Sequence, residues 1–168
     1  GDHDALRRAC DGVDAVIHVA GLVRARSFDE LRAVNADATA GLARVAREVA
    51  RPGFRFVLVS SQAAGGPSAP GGRSTEGDPA RPVSWYGWSK LLGERAAFRT
   101  LPAAQVTVVR PPTVYGPHDR DIFEFFEAAA KGVRLLLGTR RRMISIVHAE
   151  DLADGIVRAA TAPEAAGG

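Results

Sequence analysis

Tyr86 and Lys90 stand four positions apart in the stretch VSWYGWSKLLGERAAF, and at that spacing they could do proton chemistry. Residues at i and i+4 lie on one face of a helix, so the phenol and the ammonium can face one site. A phenol, with a pKa of about 10, is a poor base at neutral pH, but a nearby cation lowers that pKa. Such a tyrosine can exchange a proton with a substrate hydroxyl or carbonyl. The spacing alone is not specific, because it also arises by chance.

A serine hydroxyl near this pair could hold a substrate oxygen while charge develops on it. Ser60 and Ser61 end the apolar run FRFVLVSS, which predicts a buried strand over 54–61. Either serine could hold the substrate oxygen, because both carry a hydroxyl group. Trp85 and Trp88 flank the tyrosine and could wall a substrate site, although tryptophan is also common half exposed at helix starts.

The elements that must position these residues alternate between strands and helices. DAVIHVA predicts a buried strand over 14–20, and QVTVVR predicts another over 106–110. Apolar residues recurring at three and four positions predict a helix over 27–50, with Ser27 as its N-cap. Buried strands that alternate with helices predict an α/β fold, a parallel sheet with helices on both faces.

The remaining segments are predicted from composition and periodicity. Gly, Pro, Ser and Asp dominate 62–83, which predicts a long functional loop. Further along, Pro111 and Pro112 break the third strand, and a turn is predicted after them. The C-terminal part is predicted to contain a helix over 122–131, short strands at 135–137 and 145–147, and a helix over 151–160.

Ligands of such sheets bind beyond the carboxyl ends of the strands. The three predicted strand ends read HVAG, SSQAAGG and RPPTVYGP, all rich in small residues, Pro or hydroxyls. Small residues let a backbone approach a ligand closely. Tight turns would explain any one of these segments, but three at successive strand ends favour a binding site.

Composition restricts the function classes. The 168 residues, 46% hydrophobic and 24% charged, fit one globular core, and no apolar run approaches the length of a membrane span. The net charge is +3 and the basic residues are scattered apart from Arg140–Arg142, which argues against nucleic acid. Cys10 is the only cysteine, so an intrachain disulfide and a cysteine metal cluster are excluded; no metal site is predicted, and a reducing cytoplasm fits. The start without Met and the TAPEAAGG end lead us to expect a fragment.

Several motifs in order resemble the extended short-chain dehydrogenase/reductases, the NAD-dependent epimerase/dehydratase family, over nearly all of the chain. YGWSK is similar to the family's YxxxK signature, and FVLVSSQAAGG resembles the strand that carries its catalytic Ser or Thr. GDHDALRRACDGVDAVIHVAG is similar to the family's adenine-contacting segment, and VNADATAGLARVA resembles the helix that follows it. VRPPTVYGP resembles the strand end at the nicotinamide, and SIVHAEDLADGI resembles the late H-x-x-D-L element. YxxxK alone is weak, but the motifs together are specific.

The resemblance implies a truncated Rossmann-like doubly wound parallel sheet with the beginning of a small C-terminal substrate lobe. Residues 1–120 would form a partial NAD(P)-binding domain that includes the catalytic helix, and residues 121–168 a mixed segment with the start of the lobe, effectively one domain. The activity implied is hydride transfer with NAD or NADP at a hydroxyl- or carbonyl-bearing carbon of a sugar nucleotide, a steroid-like compound or another small molecule. A homodimer through the Tyr86 helix is also expected.

The same resemblance implies a role for individual residues. Tyr86 would be the general acid/base, Lys90 would lower its pKa and bind the nicotinamide ribose, and Ser61, with Ser60 as the fallback, would be the catalytic serine. The implied cofactor contacts are Asp2 at the adenine, the backbone of Val19, Ala20 and Gly21, Ser60, Tyr86 and Lys90, and Asn35, Pro111, Pro112 and Thr113 at the inner end.

The sequence also departs from the family pattern. It contains neither the GxxGxxG turn that seats the pyrophosphate nor the second-strand end that selects NAD or NADP, so these 168 residues alone are expected to bind cofactor poorly. Ile144 stands where sugar-nucleotide members have a phosphate-binding Arg, with Arg142 two residues earlier, which disfavours a sugar nucleotide. The alternative function is a non-catalytic relative acting as a nucleotide-binding sensor or assembly subunit. The complete set of Ser61, Tyr86 and Lys90 favours the enzyme.

Overall fold

The computed structural model describes most of the chain, namely residues 2–69, 72–120, 122–133, 144–162 and 165. The strand predicted at 135–137 and the cluster Arg140–Arg142 lie outside the described residues.

The main sheet has three parallel strands, β1 (Ala15–His18), β2 (Arg55–Val59) and β3 (Val106–Val109), in the order β1-β2-β3. The register places Val16 opposite Phe56 and Leu58 opposite Val108. Successive side chains of a strand point to opposite faces, so the apolar run of β2 is buried on both sides. The predicted strands and their parallel arrangement are confirmed.

One face of the sheet is covered by α1 (His3–Cys10), α3 (Ala38–Val49) and α5 (Trp85–Thr100). The buried side chains of this cluster are Cys10, Ala43, Val45, Ala46, Phe54, Phe56, Leu58, Ala97, Leu101 and Val106. The other face is covered by α7 (Ala149–Thr161), whose Ile156 packs against Val57 and Val59. Helices on both faces make this the doubly wound α/β arrangement that the sequence predicted.

The predicted helix over 27–50 is continuous but contains one wide turn. It begins with α2 (Phe28–Arg32), passes through a π-turn (Ala33–Asp37) and continues as α3. The Ser27 side chain accepts a hydrogen bond from the backbone N–H of Glu30 at 3.3 Å, which confirms the predicted N-cap. The π-turn, which periodicity did not predict, carries Asn35, and such turns are frequent at functional sites.

The segment after β2 is not loop throughout. Residues 62–65 form the short helix α4 (Gln62–Gly65), so the prediction of a loop is wrong for its first four positions. Ser61 caps α4 by accepting a hydrogen bond from the backbone N–H of Ala63 at 3.2 Å, and that local bond stabilises the turn. The chain then reverses at Gly66, where φ is +87° and a Cβ would lie 2.0 Å from the carbonyl oxygen of Arg81.

A second sheet pairs β4 (Thr113–Tyr115) with β5 (Ile146–His148) in parallel. The turn predicted after the proline pair is present at residues 116–119, where the backbone N–H of Asp119 donates to the carbonyl oxygen of Gly116 at 3.1 Å. The strand β4 that precedes this turn was not predicted, because it pairs with a strand far along the chain. The helix α6 (Phe123–Ala130) follows, close to its prediction. None of the helices in the described ranges has both the length and the apolarity that a membrane crossing needs.

Candidate functional site

The start of α5 is held close to α4 at the end of β2. Ser84 caps α5 by accepting a hydrogen bond from the backbone N–H of Gly87 at 3.1 Å, which places Tyr86 in the first turn. A Cβ at Gly87 would lie 2.2 Å from the carbonyl oxygen of Ala63, so only glycine allows this approach. The helix that carries the tyrosine therefore begins beside the helix that Ser61 caps.

Lys90 is a buried cation at the carboxyl end of β2. Its side chain is only 5% exposed, and Nζ donates a hydrogen bond to the carbonyl oxygen of Val59 at 2.7 Å. Burial lowers the pKa of Lys90, and the Glu94 carboxylate opposes that change. A Cβ at Gly21 would lie 3.3 Å from Nζ and 3.1 Å from Oδ1 of Asn35. The turn after β1, the π-turn and α5 therefore meet at the Lys90 ammonium.

Asn35 ties the turn after β1 to the first turns of α5. Its Oδ1 accepts a hydrogen bond from the backbone N–H of Leu22, and its Nδ2 donates to the carbonyl oxygen of Leu22, both at 2.8 Å. The same Nδ2 donates to Oγ of Ser89, which in turn donates to the carbonyl oxygen of Tyr86, again at 2.8 Å. Both amide protons of Asn35 are thus engaged in structural bonds.

His18 is a buried residue of the site that the sequence reasoning missed. Its Nε2 lies 3.0 Å from Oγ1 of Thr39, and that hydroxyl donates its only proton to the carbonyl oxygen of Asn35. His18 must therefore be the donor to Thr39, which requires a proton on Nε2. Burial lowers the pKa of His18, and the Lys90 charge lowers it further. The single polar residue within the apolar run AVIHVA was the available signal.

An ion pair between the buried Glu94 and the half-buried Arg110, also missed, lies one turn beyond Lys90. Arg110 donates to both carboxylate oxygens of Glu94, from Nε at 2.9 Å and from Nη2 at 2.6 Å. Ser60 Oγ donates to the same carboxylate. The hydrogen bond to Glu94 raises the pKa of Arg110, while burial opposes it. An acidic residue on the buried face of α5 was the sequence signal.

The two candidate serines differ in what their hydroxyls do. Ser60 is buried, and its proton is donated to Glu94. Ser61 is half buried, and its oxygen accepts the α4 capping bond. Within the described ranges, no acceptor is found for the Ser61 hydroxyl proton, and no hydrogen bond is found to the Tyr86 hydroxyl. Both of these groups are thus free to bind a further molecule.

The other predicted cofactor contacts lie at several places. Gly21 and Asn35 lie at the Lys90 ammonium, and Pro111 at the end of β3 accepts a hydrogen bond from the backbone N–H of Gln62 at 3.0 Å. Asp2 caps α1 through the backbone N–H of Ala5. Val19 and Ala20, which follow β1, are exposed. Pro112, just before β4, is half buried, and Thr113, the first residue of β4, is exposed.

A concavity of about 340 Å³ lies where the second sheet meets α6. Its lining includes Tyr115, Phe123, Phe126 and His148. The Tyr115 ring contacts His148 edge-on at a centroid distance of 5.2 Å and Phe126 at 5.8 Å. The lining is mainly apolar, and it also includes the imidazole of His148 and the carboxylate of Asp119. No cluster of metal-ligating side chains is found in the described part of the chain.

Comparison with known proteins gives one consistent family. A family model described as "NAD dependent epimerase/dehydratase family" matches residues 1–168. A ceramide reductase from Caulobacter vibrioides is 38% identical over 154 residues, which make up 91% of this chain and 42% of that protein. A 3 beta-hydroxysteroid dehydrogenase/Delta 5-->4-isomerase from Mycobacterium tuberculosis is 27% identical over 171 residues, covering 95% of this chain and 46% of its own length.

Solved structures agree with this result. MoeE5 in complex with UDP-glucuronic acid and NAD matches with a TM-score of 0.76 and 28% identity, covering 96% of this chain and 57% of the other. The chain thus spans about half the length of the relatives it matches. The Rossmann-like fold expected from the sequence is confirmed.

Proposed function

Since this chain belongs to the NAD-dependent epimerase/dehydratase family, we propose that it carries the catalytic centre of an NAD(P)-dependent oxidoreductase. The observation that carries the proposal is the position of Lys90. Its buried ammonium is bonded to the end of β2, one helical turn after Tyr86, and Ser61 follows two residues after the Val59 carbonyl that it binds. The nearness of all three residues to the carboxyl end of β2, where ligands of such folds bind, supports the proposal.

The residues at the carboxyl ends of β1 and β2 fit a dinucleotide. Gly21 leaves space in front of Lys90 and Asn35 that a Cβ would fill. Lys90 carries three N–H donors, and within the described residues one of them is used on Val59, so others can bind ribose hydroxyls. The family is NAD(P)-dependent, and the nicotinamide, when bound, supplies or accepts a hydride.

Each candidate catalytic residue then has a definite task. Tyr86 exchanges a proton with the substrate oxygen. Ser61 donates its free hydroxyl proton to the same oxygen as negative charge develops. Asn35 and Ser89 hold the first turns of the catalytic helix in place.

For the substrate, we propose an apolar alcohol or ketone rather than a sugar nucleotide. The ceramide reductase and the steroid dehydrogenase among the relatives act on such molecules by their names. Trp85 and Trp88, 60% and 44% exposed, flank Tyr86 and offer apolar surface. Ile144 stands where an arginine would bind a nucleotide phosphate. The nucleotide-sugar complex of MoeE5 supports the competing class.

The first prediction is that Tyr86→Phe in the full-length protein lowers kcat by roughly 100- to 10,000-fold, because general acid–base catalysis contributes that much. Oxidation of NADH or NADPH is followed with a long-chain keto compound, a 3-ketosteroid and a UDP-sugar in parallel. Thr100→Val removes a hydroxyl from the other end of α5 and serves as the matched control, with activity expected to stay at the wild-type level.

Three results would separate the possibilities. Unchanged turnover by Tyr86→Phe would refute the catalytic assignment. Turnover with the UDP-sugar alone would refute the apolar substrate class. Interconversion of stereoisomers without net cofactor consumption would identify an epimerase instead of a reductase.

We also propose the remaining features expected from the sequence. These are effectively one domain, made of a partial NAD(P)-binding part over 1–120 and a mixed segment over 121–168, a homodimer through α5 and a cytoplasmic location. Trp88 and Phe98, exposed on α5 by 44% and 42%, support the dimer, and the buried free thiol of Cys10 supports a reducing compartment. Light scattering on the full-length protein measures the oligomeric state.

A further inference from the structure

The Glu94 carboxylate joins three elements at the candidate site. It lies on α5, is 4% exposed, and accepts hydrogen bonds from Ser60 at the end of β2 and from Arg110 at the end of β3. Two parallel hydrogen bonds between a planar guanidinium and a planar carboxylate fix direction as well as distance. The backbone N–H of Ser60 also donates to the carbonyl oxygen of Val109 at 2.7 Å, which joins the two strand ends directly.

We propose that Glu94, held by Arg110, is a positioning residue that fixes the catalytic helix against the serine-bearing strand end. This inference rests on the proposed oxidoreductase function. Glu94 is not a catalytic residue, because it is enclosed and its carboxylate already binds two neighbours. Its action passes through Ser60 and Lys90.

Two side chains of α5, one helical turn apart, form hydrogen bonds with two consecutive residues, the last residue of β2 and the first residue after it. Lys90 binds the carbonyl oxygen of Val59, and Glu94, one turn later on the same face, binds the hydroxyl of Ser60. The next residue is Ser61, whose hydroxyl proton has no acceptor within the described part of the chain. Two anchors prevent the helix from turning about one contact, so Ser61 and Tyr86 keep their relative placement.

Stability alone is a weak reason for this ion pair. The desolvation of two charges offsets much of their attraction, and apolar replacements of buried pairs are often neutral or stabilising. An apolar pair could not orient α5 in this way. Only the charged pair determines that the Ser60 hydroxyl and the end of β3 are bound.

The charge of Glu94 also acts on Lys90. The charged or titratable groups near Lys90 are Tyr86 and Glu94, one turn to either side of it on α5, and His18 from β1. Glu94 opposes the effect of burial on the Lys90 pKa, and the Lys90 charge lowers the pKa of His18. Arg110 faces Glu94 and partly neutralises it. Removal of the Glu94 charge should therefore lower the pKa of Lys90 further.

The test compares Glu94→Gln with Glu127→Gln in the full-length protein. The control removes a carboxylate from an exposed ion pair with Lys131 at 2.9 Å, outside the site. Glutamine keeps the shape of Glu94 but turns an N–H₂ toward the donors of Arg110. We expect kcat to fall by about 100-fold with little change in KM, since a small misplacement of catalytic groups has that effect. The control variant should retain wild-type kcat.

The second readout needs no substrate. Lys90 and Lys131 are the only lysines of these 168 residues, and NMR with labelled lysine follows each pKa, with the Lys90 signal assigned by its loss in Lys90→Arg. The Glu94→Gln protein should show a lower Lys90 pKa. If the substitution merely loosened the fold, water would enter and the pKa would instead rise toward its ordinary value.

Wild-type kcat in Glu94→Gln, or a rise in the Lys90 pKa, would overturn the positioning role. If Tyr86→Phe retains full turnover, the proposed function fails, but the direction of the Lys90 shift still decides the inference. Should Glu94→Gln not fold, Arg110→Lys and Arg110→Met take its place. Lysine keeps the charge without the fork, so it should retain more kcat than methionine, and equal wild-type activity of both would overturn the proposal.

Discussion

At the scale of single residues, buried polar side chains connect the site. His18, Asn35, Thr39, Ser60, Ser89, Lys90 and Glu94 are all buried. Within the described residues, no buried side-chain nitrogen or oxygen lacks a partner. An unpaired buried polar group costs about 1–3 kcal/mol, so each member of this network constrains the next. His18 is the member of this network whose pKa is lowered by burial and by the Lys90 charge.

The stability of the protein should decrease as the pH falls below about 6.5, the ordinary pKa of histidine. Burial lowers the pKa of His18 in the folded state, so the unfolded chain binds a proton first on acidification. The stabilising effect is present above the unfolded pKa and is lost as the pH falls toward the folded pKa, at most about 1.4 kcal/mol per pH unit.

Urea unfolding between pH 7 and pH 5 measures this effect. His18→Gln, whose amide N–H₂ can still donate to Thr39, should lose less unfolding free energy over this range than the wild type. His3→Gln replaces an exposed histidine on α1 and controls for the exchange itself. An identical pH dependence in wild type and His18→Gln would contradict the assignment.

At the scale of elements, close backbone approach fixes where α5 lies. Gly87 approaches α4, and Gly93 approaches the π-turn, where a Cβ would lie 2.2 Å from the carbonyl oxygen of Asn35. Glycine inside a helix is normally unfavourable, so its presence here follows from the contact. The π-turn and α5 are thereby held at one separation.

Gly93→Ala should destabilise the protein by roughly 1–2 kcal/mol, because overpacking exceeds the gain in helix propensity. Gly155→Ala on α7, where a Cβ would meet nothing within 4 Å, should instead stabilise the protein by roughly 0.5–1 kcal/mol. Denaturant midpoints of both variants give the comparison. Stabilisation by Gly93→Ala would show that α5 does not pack against the carbonyl oxygen of Asn35.

At the scale of the whole molecule, the two faces of the sheet are joined through β2. Phe56 and Leu58 belong to the cluster under α1, α3 and α5, whereas Val57 and Val59 contact Ile156 of α7. Arg55 also donates hydrogen bonds to the carbonyl oxygens of Ala159 and Ala162 at the end of α7. Because one strand serves both clusters, the described chain should unfold as one unit.

Ile156→Ala, which truncates a side chain only 8% exposed, should lower the free energy of unfolding by roughly 2–3 kcal/mol. Val157→Ala on the same helix changes a side chain that is 54% exposed, and its effect should stay within about 0.5 kcal/mol. Circular dichroism and tryptophan fluorescence should report one common transition. A separate early transition in Ile156→Ala would mean that α7 unfolds independently.

The sequence by itself determined the features that depend on neighbouring residues. The alternation of strands and helices, the cap at Ser27 and the shared helical face of Tyr86 and Lys90 all follow from local periodicity and hydrogen bonding. The helix α4 and the π-turn are also local, but the sequence pattern did not reveal them. The Gly- and Pro-rich composition of 62–83 hid α4, and the unbroken apolar period of 27–50 hid the π-turn.

Only the tertiary structure decided the features that join distant parts of the chain. The strand β4 forms because β5 pairs with it, and the bonds of Glu94 to Ser60 and Arg110 cross 34 and 16 residues of sequence. Among the residues that the structure describes, the same contacts engage the hydroxyl proton of Ser60 and leave that of Ser61 without an acceptor. A local pattern cannot encode such choices, because the energy of each bond depends on which groups the fold buries together.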